Sequence, residues 1–168
     1  PAPKFEVVVS PNEWAKTIRN KSSAEFTDTK LQQLEFWTKF KEWAQANDKH
    51  LRLQTPRPQH WFDVSMGTSD AHIALTVNTR ERLLGCGIYI SKNKELFSFI
   101  QDRKESVERA LKCNLDWIDA AKASRITMAK PDFDLQDQDR YEEYFKWLYN
   151  MMLRCKEVFC PLIAEFRK

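Results

Sequence analysis

The residues best suited by type to do chemistry are a few carboxylates and one lysine. Asp70 precedes a strand-like run, Glu35 lies on the helix before it, and Lys92 follows a third strand-like run at Leu83–Ile90. Carboxylates that hold Mg²⁺, with a lysine to position water, are the machinery of a metal-dependent nuclease. That machinery needs an acid and a lysine on the third strand. Leu83–Ile90 carries neither, and Lys92 is preceded by Ser91 rather than an acid. A nuclease using Asp70 and Glu35 with Mg²⁺ is therefore kept as the alternative. The primary reading assigns no catalytic residue, no metal ligand and no cofactor.

A second constellation is basic. Arg52, Arg57, Arg80, Arg82, Lys92 and Lys94 all fall in loops or at strand ends, and His60 opens a strand beside the turn Arg57-Pro58. If the turns converge, Arg57, His60, Arg80, Arg82, Lys92 and Lys94 form a surface that contacts the phosphates of DNA or RNA, which position a protein without being read for sequence. The competing interpretation is an ordinary solvated surface, because acids are interspersed among these bases.

Other chemistries find less support. His50, His60 and His72 are well separated, and no serine or cysteine sits in a nucleophile elbow. Cys86, Cys113, Cys155 and Cys160 form no CxxC pair and read as buried free thiols of a reducing cytoplasm. Asp132, Asp134, Asp137, Asp139, Glu142 and Glu143 precede a helix, where carboxylates cap free N–H groups and complement the dipole. Three glycines in all cannot build a phosphate loop.

The elements that must position these groups follow from periodicity. Leu31, Leu34, Trp37, Phe40 and Trp43 recur at steps of three, so a helix spans about Leu31–Ala46, with Thr29 and Gln32 to cap it. Pro56 and Pro58 force an extended approach. Trp61–Met66, His72–Thr79 and Leu83–Ile90 alternate as strands joined by turns, an antiparallel meander. Gly85 and Gly87 inside the third strand mark a bulge, a close approach by another group, or a bulky neighbour such as a tryptophan packed across them. A helix over Lys94–Lys112, a short edge strand at Leu115–Trp117, a strand near Arg125–Lys130 and a long last helix follow, Pro161 bending or breaking the last. Upstream, Phe5–Val9 suits a short strand. Ser10-Pro11-Asn12-Glu13 is a capping box for a short helix to about Asn20, and Lys21–Asp28 a linker.

The fold class expected is α+β, in the order helix, three-stranded meander, helix, strand, long helix, compatible with a restriction-endonuclease-like core. Residues 1–30 read as an N-terminal extension and 31–168 as a single domain. With 168 residues and 42% hydrophobic content the chain can bury a real core. Its 27 basic and 24 acidic side chains are too balanced to imply nucleic acid by charge alone. No apolar run spans a bilayer and no secretory signal opens the chain, so a cytoplasmic protein with no membrane partner is expected. The start at Pro1 without methionine reads as an excised C-terminal domain rather than a trimmed tag.

Several segments together resemble the domain-of-unknown-function family 4268: Arg57-Pro58-Gln59-His60-Trp61-Phe62, Gly67-Thr68-Ser69, Lys94-Glu95-Leu96-Phe97, Leu115-Asp116-Trp117, Ala123-Ser124-Arg125-Ile126, Tyr144-Phe145-Lys146-Trp147-Leu148 and Val158-Phe159-Cys160-Pro161. The resemblance covers roughly Leu31 to Phe166. It implies a bacterial or archaeal C-terminal module, often beside nuclease-like or restriction-related regions, and brings no established activity. The family's third strand usually carries a glutamate where this chain has Gly87, so any metal role of that glutamate is lost here. The resulting expectation is a non-catalytic accessory module of a restriction- or defence-type protein, touching DNA or RNA. Its partners would be an N-terminal nuclease-like domain or a second copy. A protein-interaction or dimerisation domain built on the Trp- and Phe-rich helices is a further alternative.

Overall fold

The computed structural model describes residues 27–168. The expected strand at Phe5–Val9, the helix capped at Ser10-Pro11-Asn12-Glu13 and the linker up to residue 26 lie outside the described residues. The linker's last two residues, Thr27 and Asp28, already belong to a helix start. Helix α1 spans Asp28–Asn47, and Thr27 caps it by accepting a hydrogen bond from the Lys30 amide at 3.3 Å. The cap is thus Thr27 rather than Thr29, because helical geometry begins three residues before the first apolar position, Leu31.

The strands are β1 (Trp61–Ser65), β2 (Ala71–Asn78) and β3 (Leu83–Ser91). Two helices, α2 (Lys94–Gln101) and α3 (Lys104–Leu111), lead to β4 (Asp116–Asp119) and β5 (Ala123–Lys130). A single 3₁₀ turn at Gln138–Arg140 runs into α4 (Tyr141–Phe166). The sheet order is β1-β2-β3-β5-β4 and every pairing is antiparallel. The order helix, meander, helix, strand, long helix is the expected one, with β4 as the edge strand. A nuclease-type core asks in addition for carboxylates that converge on one metal.

Other expectations are also corrected. The helix expected over Lys94–Lys112 is broken at Asp102–Arg103, where the Arg103 amide turns back to the Ile100 carbonyl. The Arg103 guanidinium then donates to the Phe99 carbonyl at 2.8 Å and lies 3.6 Å from the Phe99 ring centre. Of the acids, Glu142 and Glu143 lie in the first turn of α4, where they complement its dipole, but none caps it by side chain: its N-cap is Arg140, with no side-chain cap bond. Asp132 instead faces Arg82 and Arg140 at 3.2 and 3.3 Å, and Glu143 faces Arg140 and Lys130 at 3.1 and 3.4 Å. Pro161 sits inside α4 without ending it, since the helix continues to Phe166.

One face of the sheet meets the helices. Phe62, Val64, Ile73, Leu75, Leu84, Cys86, Ile88, Ile126 and Met128 alternate inward onto α4, which packs on β2 and β3 and is flanked by α1, α2 and α3. Phe36 sits among the rings of Trp37, Phe133, Tyr141 and Phe145, with centroids 5.0–5.6 Å away. Burying such rings supplies much of the driving force for a two-layer domain. The Trp37 indole N–H donates to the Gln59 carbonyl at 2.9 Å, which fixes the approach to β1. Among the described residues, no helix is long and apolar enough to cross a membrane.

Candidate functional site

The opposite face of the sheet carries no helix among the described residues. Period-two alternation directs every second side chain there, and the register sets them in rows across the strands. One row is Trp61, Thr76, Gly85 and Ala129; the next is Asp63, Ala74, Gly87, Thr127 and Asp116. A third is Ser65, His72, Tyr89, Arg125 and Ile118. Glycine and alanine make the floor low in the middle, and larger side chains rise around it. The result is a trough of about 650 Å³, within the usual range for ligand sites.

Apolar surface is left in the open at both sides of this trough. Trp61 on β1 is 39% exposed and Ile118 on β4 is 37% exposed, and they are the large hydrophobic side chains most open to solvent among the described residues. His60 stands edge-on to Trp61 with centroids 4.7 Å apart. His72 stacks on Tyr89 at 5.0 Å and lies 3.2 Å from the Asp63 carboxylate. Arg125 is exposed, and no ion-pair or hydrogen-bond partner engages its side chain among the described residues. The face therefore offers π-surfaces, one cation without a partner among the described residues, and the carboxylates of Asp63 and Asp116.

The two strand glycines have a packing cause. An added Cβ at Gly85 would lie 2.2 Å from Thr76 Oγ1, and one at Gly87 would lie 2.3 Å from the Ile126 carbonyl oxygen and 2.7 Å from Thr127 Cα. The close approach expected at these glycines is made by a threonine side chain and by the backbone of β5, and not by a tryptophan.

The six basic residues singled out in the sequence divide between two ends of the sheet. The Val77 amide bonds to the His60 carbonyl at 2.8 Å, so Arg57 and His60 share one end with the β2–β3 turn that holds Arg80 and Arg82. Lys92 and Lys94 follow the far end of β3, a nine-residue strand about 30 Å long. Two of the six are engaged. Arg82 pairs with Asp132 at 3.2 Å, and the Lys94 ammonium binds Asp119, the Ala120 carbonyl and Ser124. The Lys94 contact holds the Asp119 carboxyl below its ordinary range. Arg57, Arg80 and Lys92 are exposed and without such partners among the described residues.

The two carboxylates of the nuclease alternative are not brought together. Asp70 pairs with Arg167, just past the end of α4, at 3.1 Å. Glu35 lies 3.1 Å from Lys39, whose ammonium stands over the ring of Tyr141 at the start of α4. A 26-residue helix about 39 Å long separates those two ends, so one Mg²⁺ cannot be shared. Among the described residues, no group of three or more His, Cys, Asp or Glu is arranged to hold a metal. Glu35 Oε1 is buried without a hydrogen bond of good geometry. Together with burial, its charge helps push the Tyr141 hydroxyl above the ordinary tyrosine range.

Sequence reasoning missed Trp61, Tyr89, Arg125 and Asp116 as a set. Their signal was present as alternate positions of four strands, but only the register places them side by side. The family model described as "Domain of unknown function (DUF4268)" matches residues 32–163. None of the curated proteins and none of the solved structures matches the chain.

Proposed function

The chain belongs to the DUF4268 family, and we propose that it is a non-catalytic accessory module, within a restriction- or defence-type protein, that contacts single-stranded nucleic acid on the sheet face that carries no helix among the described residues. The observation that carries this reading is the trough itself: exposed Trp61 at one side, Arg125 within it, and free cations beyond both ends of β3. Proteins that hold single strands combine aromatic platforms for the bases with cations that track the phosphates. A span of about 30 Å along β3, with Arg57 and Arg80 at one end and Lys92 at the other, suits a short strand lying along it. Asp63 and Asp116 repel phosphate, so the bases face the sheet and the phosphates run along the rim. Carboxylates accept hydrogen bonds from exocyclic amines such as that of cytosine.

The arrangement offers less to the nuclease alternative, because Glu35 and Asp70 stand at opposite ends of α4. The test is binding of labelled single-stranded DNA and RNA, and of the matching duplexes, at two salt concentrations with Mg²⁺ present. Salt-sensitive binding to single strands, reduced about tenfold or more by Trp61→Ala and by Arg125→Ala, is the expected result. Tighter binding to duplex, no binding at all, or chelator-sensitive cleavage would overturn the proposal. Concentration-dependent self-association abolished by Trp61→Ala would assign the face to a second copy instead.

A further inference from the structure

Cys86 on β3 and Cys155 on α4 are 69 residues apart in sequence, yet their sulfurs lie 3.9 Å apart. Both are buried among core side chains, at 1% and 0% exposure, and both are free thiols. Neither serves the sheet face described above, since Cys86 points into the helix layer between Leu75 and Met128 in the register. A hydrogen bond shared with Cys155, together with burial, holds the Cys86 thiol well above its ordinary range, so the pair is quiet in the closed protein.

We propose that this pair is an oxidative modification site, converted by hydrogen peroxide to an intrachain disulfide that ties α4 to the centre of the sheet. One sulfur, losing its proton, attacks a peroxide oxygen; the S–O bond forms, the O–O bond breaks, and water leaves. The second thiol then attacks the resulting sulfenic sulfur; the S–S bond forms, the S–O bond breaks, and a second water departs with the remaining proton. Two thiols and one hydrogen peroxide thus give one disulfide, with two electrons passing from sulfur to oxygen. The sulfurs must close from 3.9 Å to about 2 Å. Burial makes the reaction depend on transient opening of α4, so it records an oxidising episode that loosens the fold. The half-buried thiols of Cys113 and Cys160 are reached more easily, and they provide the internal comparison.

The experiment treats the whole chain with hydrogen peroxide, then maps disulfides by mass spectrometry of a non-reducing digest. The same map is made for a variant carrying both Cys113→Ser and Cys160→Ser, and for Cys155→Ala. The expected result is a Cys86–Cys155 cross-link in the chain and in the double variant, two hydrogens lighter, reversed by dithiothreitol and absent in Cys155→Ala. The oxidised form should melt about 10 °C higher, because the bond closes a long loop. A cross-link that pairs Cys113 or Cys160 would refute the proposal. So would oxidation of those two to sulfinic acid while Cys86 and Cys155 remain thiols, or a core disulfide that leaves the melting temperature unchanged.

Discussion

Gly85 and Gly87 sit two residues apart on one strand and face the same side, yet alanine should affect them very differently. At Gly85 the new Cβ meets Thr76 Oγ1 at 2.2 Å, but the next nearest atom is 3.6 Å away. That obstacle is the end of a side chain, and rotating Thr76 removes it for about 0.5–1.5 kcal/mol. Replacing glycine also restricts the unfolded chain, which returns about 0.4–1 kcal/mol. The two nearly cancel, so Gly85→Ala should change stability by less than about 1 kcal/mol.

At Gly87 the obstacles are the Ile126 carbonyl oxygen at 2.3 Å, Thr127 Cα at 2.7 Å and Thr127 Cγ2 at 2.9 Å. Backbone cannot rotate away, so β5 must retreat by about 1 Å to reach ordinary contact. Thr127 is paired with Gly87 on one side and Asp116 on the other, so the displacement also reaches β4. Overpacking of this kind costs about 1–3 kcal/mol, and each ladder hydrogen bond weakened adds about 1 kcal/mol. After the unfolded-state offset, Gly87→Ala should be destabilised by about 3 kcal/mol. Urea unfolding followed by far-ultraviolet circular dichroism measures this. With a slope of about 2 kcal/mol per molar, the midpoint should fall by about 1.5 M for Gly87→Ala and hardly move for Gly85→Ala. Equal shifts, or a larger one for Gly85→Ala, would refute the argument that backbone contact rather than side-chain contact fixes the cost. The glutamate expected at this position from the family resemblance would meet the same backbone and should cost at least as much.

Trp37→Phe removes the N–H donated to the Gln59 carbonyl as well as buried volume. It should destabilise the fold by about 2–4 kcal/mol in urea unfolding and loosen the Arg57–Trp61 approach, read as faster proteolysis there. Tyr144→Phe strips the acceptor from the Asp134 amide, 3.0 Å away, and should cost about 1–2 kcal/mol. Glu108 accepts from the Trp117 indole N–H at 3.0 Å and from the Leu115 amide at 3.3 Å, and these contacts hold its carboxyl below the ordinary range. A depressed folded-state value means that its stabilisation is complete above the usual carboxylate range and is lost as pH falls through the lowered folded-state value. Melting temperature against pH should therefore decline more shallowly on the acid side in Glu108→Gln than in the parent.

Much of the architecture is written in local patterns. Ile73, Leu75 and Val77 alternate with His72, Ala74 and Thr76, and that alternation by itself specifies a strand with one buried face. Leu31, Leu34, Trp37 and Phe40 specify the buried stripe of α1 in the same way. The break at Asp102–Arg103 was not legible, because Arg103 has no breaker chemistry; its contacts with the Phe99 carbonyl and ring, and with Glu165 at 3.4 Å, come from packing against α4. The cap at Thr27 was hidden by the similar Thr29 two residues on.

Sequence alone determined the class of the fold, the order of its elements and the family resemblance, because periodicity and turn chemistry act over a few residues. Only the tertiary structure decided which residues meet. Strand register set Trp61, His72, Tyr89, Arg125 and Asp116 on one face of the sheet, and β3 carried Lys92 away from Arg80. The length of α4 parted Glu35 from Asp70, and its packing on β3 brought Cys86 to Cys155. Those outcomes depend on strand pairing and helix docking between distant segments, and no local pattern encodes such distances.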